Sequence, residues 1–136
     1  MMKVQLPYGR THMIAEIPDN RIQAVLRSRL ESYTPPADEA KLVEAALQKP
    51  IGSRPLEEIA VGKEKVVLIA SDHTRPVPSK LLVPPMLNAI RKRNPDAKIT
   101  ILIATGCHRN TTKAELEEKF GPELVAKEEI VVHDCM

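Results

Sequence analysis

Two apolar, β-branched segments, each running into a short polar loop and then a helical pattern, restrict this chain more than any other feature. The first is Lys65-Val66-Val67-Leu68-Ile69-Ala70, followed by Ser71-Asp72-His73-Thr74-Arg75-Pro76. The second is Ile99-Thr100-Ile101-Leu102-Ile103-Ala104, followed by Thr105-Gly106-Cys107-His108-Arg109. Continuous apolar runs of this kind are the pattern of parallel strands buried on both faces. Strands that alternate with helices build a parallel α/β sheet. Open sheets of that class bind ligands at the carboxyl ends of their strands. Two loops leaving the same sheet edge would therefore make one site.

The flanking segments extend this pattern. Residues 3–7 and 12–17 read as extended, with Tyr8-Gly9-Arg10-Thr11 as the turn of an antiparallel hairpin. Residues 21–29 alternate enough for a strand, with a short helix as the alternative. Leu42, Val43, Ala46 and Leu47 recur at helical spacing, so Asp38 to Lys49 forms a helix that Pro50-Ile51-Gly52 stops. A short helix is expected around Leu56 to Ala60. Residues 79–93 carry a longer one, whose regular part is placed from Pro84 because proline suits a first turn. Thr112-Lys113-Ala114-Glu115 is a capping box, which starts another helix. Gly121 ends it, and residues 129–133 form a last strand. The expected fold is a mostly parallel α/β sheet with flanking helices and an N-terminal antiparallel hairpin, spanning residues 1–136 as one incomplete domain.

Composition removes several classes of function. The net charge is only +2, too small a surplus for an electrostatic nucleic-acid binder. Three aromatic residues, Tyr8, Tyr33 and Phe120, offer no platform on which bases could stack. No apolar run approaches the roughly 18 residues that a membrane-crossing helix needs. The start, Met1-Met2-Lys3-Val4-Gln5-Leu6-Pro7, lacks the apolar core of a signal peptide. A cytoplasmic protein is therefore expected, and two cysteines fit a reducing compartment. The last residues, His133-Asp134-Cys135-Met136, follow a strand directly, where a loop and helix should come next. The sequence thus reads as the N-terminal portion of a longer protein.

The chemistry concentrates in the two loops. Backbone amides at the helix start after Asp72-His73-Thr74-Arg75, with the Arg75 guanidinium, would hold a phosphate or carboxylate. Asp72 could accept from a ribose hydroxyl or hold Arg75, and Thr74 could donate to a phosphate oxygen. The plainer alternative is an Asp–Arg pair that braces the loop. In the second loop, Gly106 permits a turn close to a ligand, and His108 could move a proton near neutral pH. A histidine that merely caps a strand end is the alternative. Arg109 reads as a surface or ion-pair residue rather than a second anion ligand. Cys107, His108, His133 and Cys135 lack the spacing of a structural zinc site, so no metal ligand is assigned. The helix at 113–120 reads as a solvated face.

Ser-Asp-His-Thr-Arg-Pro after one apolar strand and Ala-Thr-Gly-Cys-His-Arg after the next together resemble the lactate racemase family. The likeness extends to Pro7-Tyr8-Gly9, to Lys49-Pro50-Ile51-Gly52 and to His133-Asp134, and so covers most of the chain. The resemblance implies a nickel-pincer nucleotide cofactor that accepts and returns hydride during racemisation or epimerisation of lactate or a related 2-hydroxy acid. It implies that Asp72, His73, Thr74 and Arg75 contact that cofactor, that Arg75 also holds the substrate carboxylate, and that His108 is a catalytic acid/base. It also implies that the tethering lysine, the nickel ligand and a second catalytic histidine lie beyond this chain. The 136 residues alone should then neither retain the cofactor nor turn over substrate. Cys107 stands where the family more often has a small polar or branched residue, a departure that leaves His108 unaffected. The main rival is a non-catalytic phosphate- or nucleotide-binding module.

Overall fold

The computed structural model describes residues 1–134; Cys135 and Met136, and with them the cysteine of the zinc reading, lie outside the described residues. The chain forms two compact units, Met1–Pro36 and Ala37–Met136.

The first unit is the expected hairpin. Strands β1 (Met2–Tyr8) and β2 (Thr11–Ile17) pair antiparallel, from Met2 opposite Ile17 to Tyr8 opposite Thr11. Gly9 takes a φ of 59°, at the position where a type II′ turn needs a residue free of Cβ. The segment expected as a strand or short helix at 21–29 is neither. Short 3-10 turns at Asp19–Arg21 and Arg29–Ser32 flank irregular backbone. Its apolar residues are poorly covered: Ile22 is half-buried, but Leu26 is 93% exposed. Without a neighbouring strand or an apolar seat, neither alternation nor periodicity produces an element.

The second unit carries the parallel sheet. Strands β3 (Lys65–Ser71), β4 (Lys98–Ala104) and β5 (Glu129–Val132) lie in the order β3-β4-β5 and are all parallel. Helix α1 (Glu39–Gln48) starts where Asp38 accepts a hydrogen bond from the Lys41 amide at 2.8 Å. A short α2 (Leu56–Ile59) precedes β3, and α3 (Ser79–Arg93) joins β3 to β4. Helices α4 (Lys113–Phe120) and α5 (Pro122–Lys127) join β4 to β5.

Two differences from the sequence reading have clear causes. Helix α3 begins at Ser79, so Pro84 and Pro85 sit inside it. An interior proline costs about 3 kcal/mol in an isolated helix. Here Ser79, Val83, Leu87 and Ile90 form one buried stripe, and burial at about 1.5–3 kcal/mol per large apolar side chain carries the helix through both prolines. Helix α5 was not expected at all. Gly121, at φ 90°, ends α4 and at once starts α5, with Pro122 in the first helical position. A Gly-Pro pair, stop followed by start, was the available signal.

The core lies on one face of the sheet. Ile99, Ile101 and Ile103 of β4 pack with Val83, Leu87, Ile90, Leu116 and Phe120, and Val66, Leu68 and Ala70 of β3 join them. The opposite face is open, so the burial on both faces expected from the continuous apolar runs does not hold for β3: Val67 is 57% and Ile69 73% exposed. Arg91 grips the nearly buried Glu128 through two bonds of 2.8 and 2.6 Å, which locks α3 to the entry of β5. No helix among the described residues is long and apolar enough to cross a membrane.

Candidate functional site

Because β3 and β4 are parallel and Ser71 pairs with Ala104, their following loops leave the same sheet edge side by side. The first loop is stapled to itself. Asp72 is 2% exposed, and its Oδ1 accepts from the Thr74 amide at 3.1 Å and the Thr74 hydroxyl at 2.7 Å. The Arg75 amide donates to the Asp72 carbonyl, and the Val77 amide to the Arg75 carbonyl. Asp is suited to such a turn because its short carboxylate reaches the amide two residues on.

The other carboxylate oxygen of Asp72 reaches across to the second loop, 2.5 Å from His108 Nδ1. Thr74 Oγ1 lies 3.5 Å from the same nitrogen. The Thr74 hydroxyl and then the His108 imidazole hold the Asp72 carboxyl well below the usual carboxylate range, against the opposing effect of burial. An ionised carboxylate only accepts, so the His108 Nδ1 carries the proton and Nε2 is the nitrogen that exchanges one. The His108 side chain is 46% exposed, so solvent and ligands reach it.

His73 turns away from that pair. Its Nδ1 is 3.1 Å from the hydroxyl of buried Thr111, and its Nε2 is 4.0 Å from Glu115. The guanidinium of Arg75 makes no hydrogen bond or ion pair among the described residues. It lines a cavity of about 510 Å³ together with His73, Lys80, Glu115, Glu118 and Lys119. His108 is not part of that lining. The four residues of the first loop thus divide: Asp72 and His73 hold the second loop, Thr74 holds Asp72, and Arg75 lines the cavity. The Asp72–Arg75 side-chain brace considered from the sequence does not form.

Of the surface and ion-pair roles open to Arg109 from the sequence, both apply: its side chain is exposed and paired. Its guanidinium forks onto Glu115 at 2.9 and 2.6 Å. Glu115 also accepts from the Thr112 amide at 2.8 Å, which completes the capping box. Arg109 first, then the Thr112 amide, holds the Glu115 carboxyl far below its ordinary range. The expectation of a solvated face for α4 holds for Lys113, which pairs with Glu117 at 3.7 Å. It fails for Glu115 and Lys119: the Lys119 ammonium donates to the Arg75 carbonyl at 2.9 Å. Spacing of four residues puts both on one helix face, but nothing in the sequence says which face meets the loops.

The third strand closes the edge. The buried Thr105 hydroxyl donates to the His133 carbonyl at 2.9 Å, and the His133 amide donates to the Ile103 carbonyl at 3.0 Å. Among the described residues no three metal-ligating side chains cluster. The arrangement can exchange a proton at His108 and bind an anion at Arg75.

Residues 8–136 match the family model described as the lactate racemase N-terminal domain. Lactate racemase of Thermoanaerobacterium thermosaccharolyticum is 48% identical over 134 residues, which cover 98% of this chain and 32% of that protein. Lactate racemase of Lactiplantibacillus plantarum is 45% identical over 133 residues, 98% of this chain and 31% of that one. The solved structure of the Thermoanaerobacterium lactate racemase apoprotein superposes with a TM-score of 0.85 at 46% identity, covering 98% of this chain and 30% of that one. The chain therefore spans about a third of the length of the curated relatives it matches.

Proposed function

The chain belongs to the lactate racemase N-terminal domain family, and on that premise we propose that it supplies one catalytic half-site of a racemase or epimerase of lactate or a related 2-hydroxy acid. His108 is the proton-transfer group in this reading. Inversion at a hydroxyl-bearing carbon by way of a keto acid requires a base at the hydroxyl, and an imidazole oriented by a carboxylate meets that need near neutral pH. The single observation behind the assignment is the 2.5 Å contact between His108 Nδ1 and the buried, ionised Asp72. It sets the tautomer and leaves proton exchange to Nε2.

Arg75 orients the anionic partner. Its exposed guanidinium can grip a carboxylate with two parallel bonds, which fixes direction as well as charge. The same chemistry suits a nucleotide phosphate, so Arg75 fits the anionic part of a nickel-pincer nucleotide, whereas Thr74, expected to donate to a phosphate oxygen, gives both its amide and its hydroxyl proton to Asp72. Asp72 and His73 fit it less well as direct contacts, because their polar atoms are engaged by Thr74, His108 and Thr111; in this reading they support the cofactor loop from behind. When bound, that nucleotide supplies the hydride acceptor. Its tethering lysine, nickel ligand and the second histidine come from the part of the relatives' length that this chain does not span. A cytoplasmic setting belongs to the same reading, where the exposed thiol of Cys107 stays reduced.

The purified 136-residue chain is expected to racemise no lactate, even with cofactor added; measurable turnover would show that the other groups are dispensable. In protein made from the complete reading frame, His108→Ala should abolish turnover and leave cofactor bound. Unchanged turnover would instead favour a module that only binds a phosphate or nucleotide.

A further inference from the structure

We propose that α4 is a positioning element for both loops, with Glu115 aiming His108 through Arg109 and Lys119 setting the height of Arg75. The inference concerns side chains that touch no reacting atom. It rests on the reading of His108 as the proton-transfer group only where turnover is the measurement.

The second loop has little of its own to hold it. From Gly106 to Asn110 every residue is exposed, and one backbone bond, from the His108 amide to the Thr105 carbonyl at 3.0 Å, shapes the turn. Thr105 is tied to β5 below, and Thr111 to His73 above. Between those anchors the imidazole could swing about the chain. Contacts on both sides oppose this: Asp72, with Thr74 at 3.5 Å, meets its Nδ1, and the next residue, Arg109, forks onto Glu115 at 2.9 and 2.6 Å. A two-bond guanidinium–carboxylate pair fixes a plane and a direction, which a single contact does not.

One carboxylate therefore gathers three separate pieces: Arg109 beside the imidazole, the Thr112 amide at the start of α4, and, at 4.0 Å, His73 of the first loop. One helical turn further on, Lys119 donates to the Arg75 carbonyl at 2.9 Å. Burial pushes the Lys119 ammonium below its ordinary value, opposed by the charge of Asp72. Both loops are thus indexed to one face of one helix. An ion pair whose arginine is 60% exposed adds little to the stability of the domain. Its loss should leave the fold intact while the imidazole wanders.

The test separates the cap from the clamp. Glu115→Gln keeps a capping-box residue yet places an amide against Arg109, so the fork is lost and the helix start kept. Arg109→Lys keeps the charge and loses the fork. In the 136-residue chain, the low-field proton resonance of His108 Nδ1–H, assigned by its loss in Asp72→Asn, is read by NMR. Both variants should broaden or remove it while the amide signals of β3–β5 stay in place. Lys113→Ala, on the outward side of α4, should leave it untouched. An undiminished signal in both Glu115→Gln and Arg109→Lys, or no such signal in the parent chain, overturns the proposal. In protein from the complete reading frame, each of the two variants should lower kcat about tenfold, with KM near its parent value. If the parent shows no racemisation, the function assigned above has failed, and the NMR arm still decides the positioning role.

Discussion

The two strand-and-loop units at the heart of the sheet are built inversely. β3 is an edge strand with an open face, where Ile69 is 73% exposed, yet the loop that follows it carries the buried Asp72 at 2%. β4 is the central strand with Ile101 and Ile103 at 0%, yet its loop carries His108, 46% exposed. The loop after β3 is held mainly from within, through Thr74 and the turn at Val77, with Lys119 and Thr111 as its outside contacts. The loop after β4 is held by others, through Asp72, Glu115 and His133. The lesson is a division of labour: one unit supplies a fixed carboxylate, and the other presents a reachable imidazole against it. A carboxylate removed from water needs partners, which Asp72 finds in Thr74 of its own loop and in His108 of the other, whereas the exposed imidazole stays reachable for the proton transfer proposed above.

The contrast can be broken most sharply at His108. His108→Ala in the complete protein should cut turnover by about 10²–10⁴, the usual contribution of a positioned acid/base, while the urea midpoint falls only slightly through the partner that Asp72 loses. A comparable fall in stability would mean that the imidazole is a fold element rather than a presented group. The next largest effect is expected beneath it. Ile101→Ala should cost about 2–5 kcal/mol of unfolding free energy, because it empties a site at the middle of the core. Its counterpart on the open face, Ile69→Ala, should stay within about 0.5 kcal/mol. Equal losses would show that the two faces of the sheet are alike in solution.

Asp72→Asn strikes both loops at once. Turnover should fall about 10- to 100-fold as the imidazole loses its orientation. The pH dependence of stability should change with it. A carboxyl held below its ordinary value contributes fully above the unfolded value, about pH 4, and the contribution is lost as pH falls through the folded one. Urea midpoints of the parent chain should therefore drop on acidification below about pH 4, and less steeply in Asp72→Asn. Identical slopes would detach Asp72 from the pairing. The smallest effect belongs to Cys107→Ser. Its side chain is exposed in the loop after β4, so stability should change by less than about 0.5 kcal/mol and turnover hardly at all.

Much of this molecule could be read before any coordinate. The strands at 65–70 and 99–104, the hairpin with Gly9 at its turn, the Thr112–Glu115 capping box and the stop at Gly121 all depend on neighbours within a few residues. Local sterics, capping and periodicity act over that range, so the pattern carries them. The errors share the opposite origin. Pro84 and Pro85 lie inside α3 because a buried stripe from Ser79 to Ile90 outweighs a local penalty. Residues 21–29 alternate without making a strand, since no partner strand lies beside them.

The candidate site divides the same way. The amino-acid order alone determined that two loops, one with Asp72 and Arg75 and one with His108, would follow parallel strands and emerge at a common edge. Only the folded chain decided which side chains meet: that Asp72 turns to His108 rather than Arg75, that His73 turns to Thr111, and that Glu115 and Lys119 brace the loops instead of facing water. These partners are separated by between 6 and 44 residues along the chain. Contacts over such spans follow from strand register and helix rotation, which the packing of the whole core settles at once and no local pattern encodes.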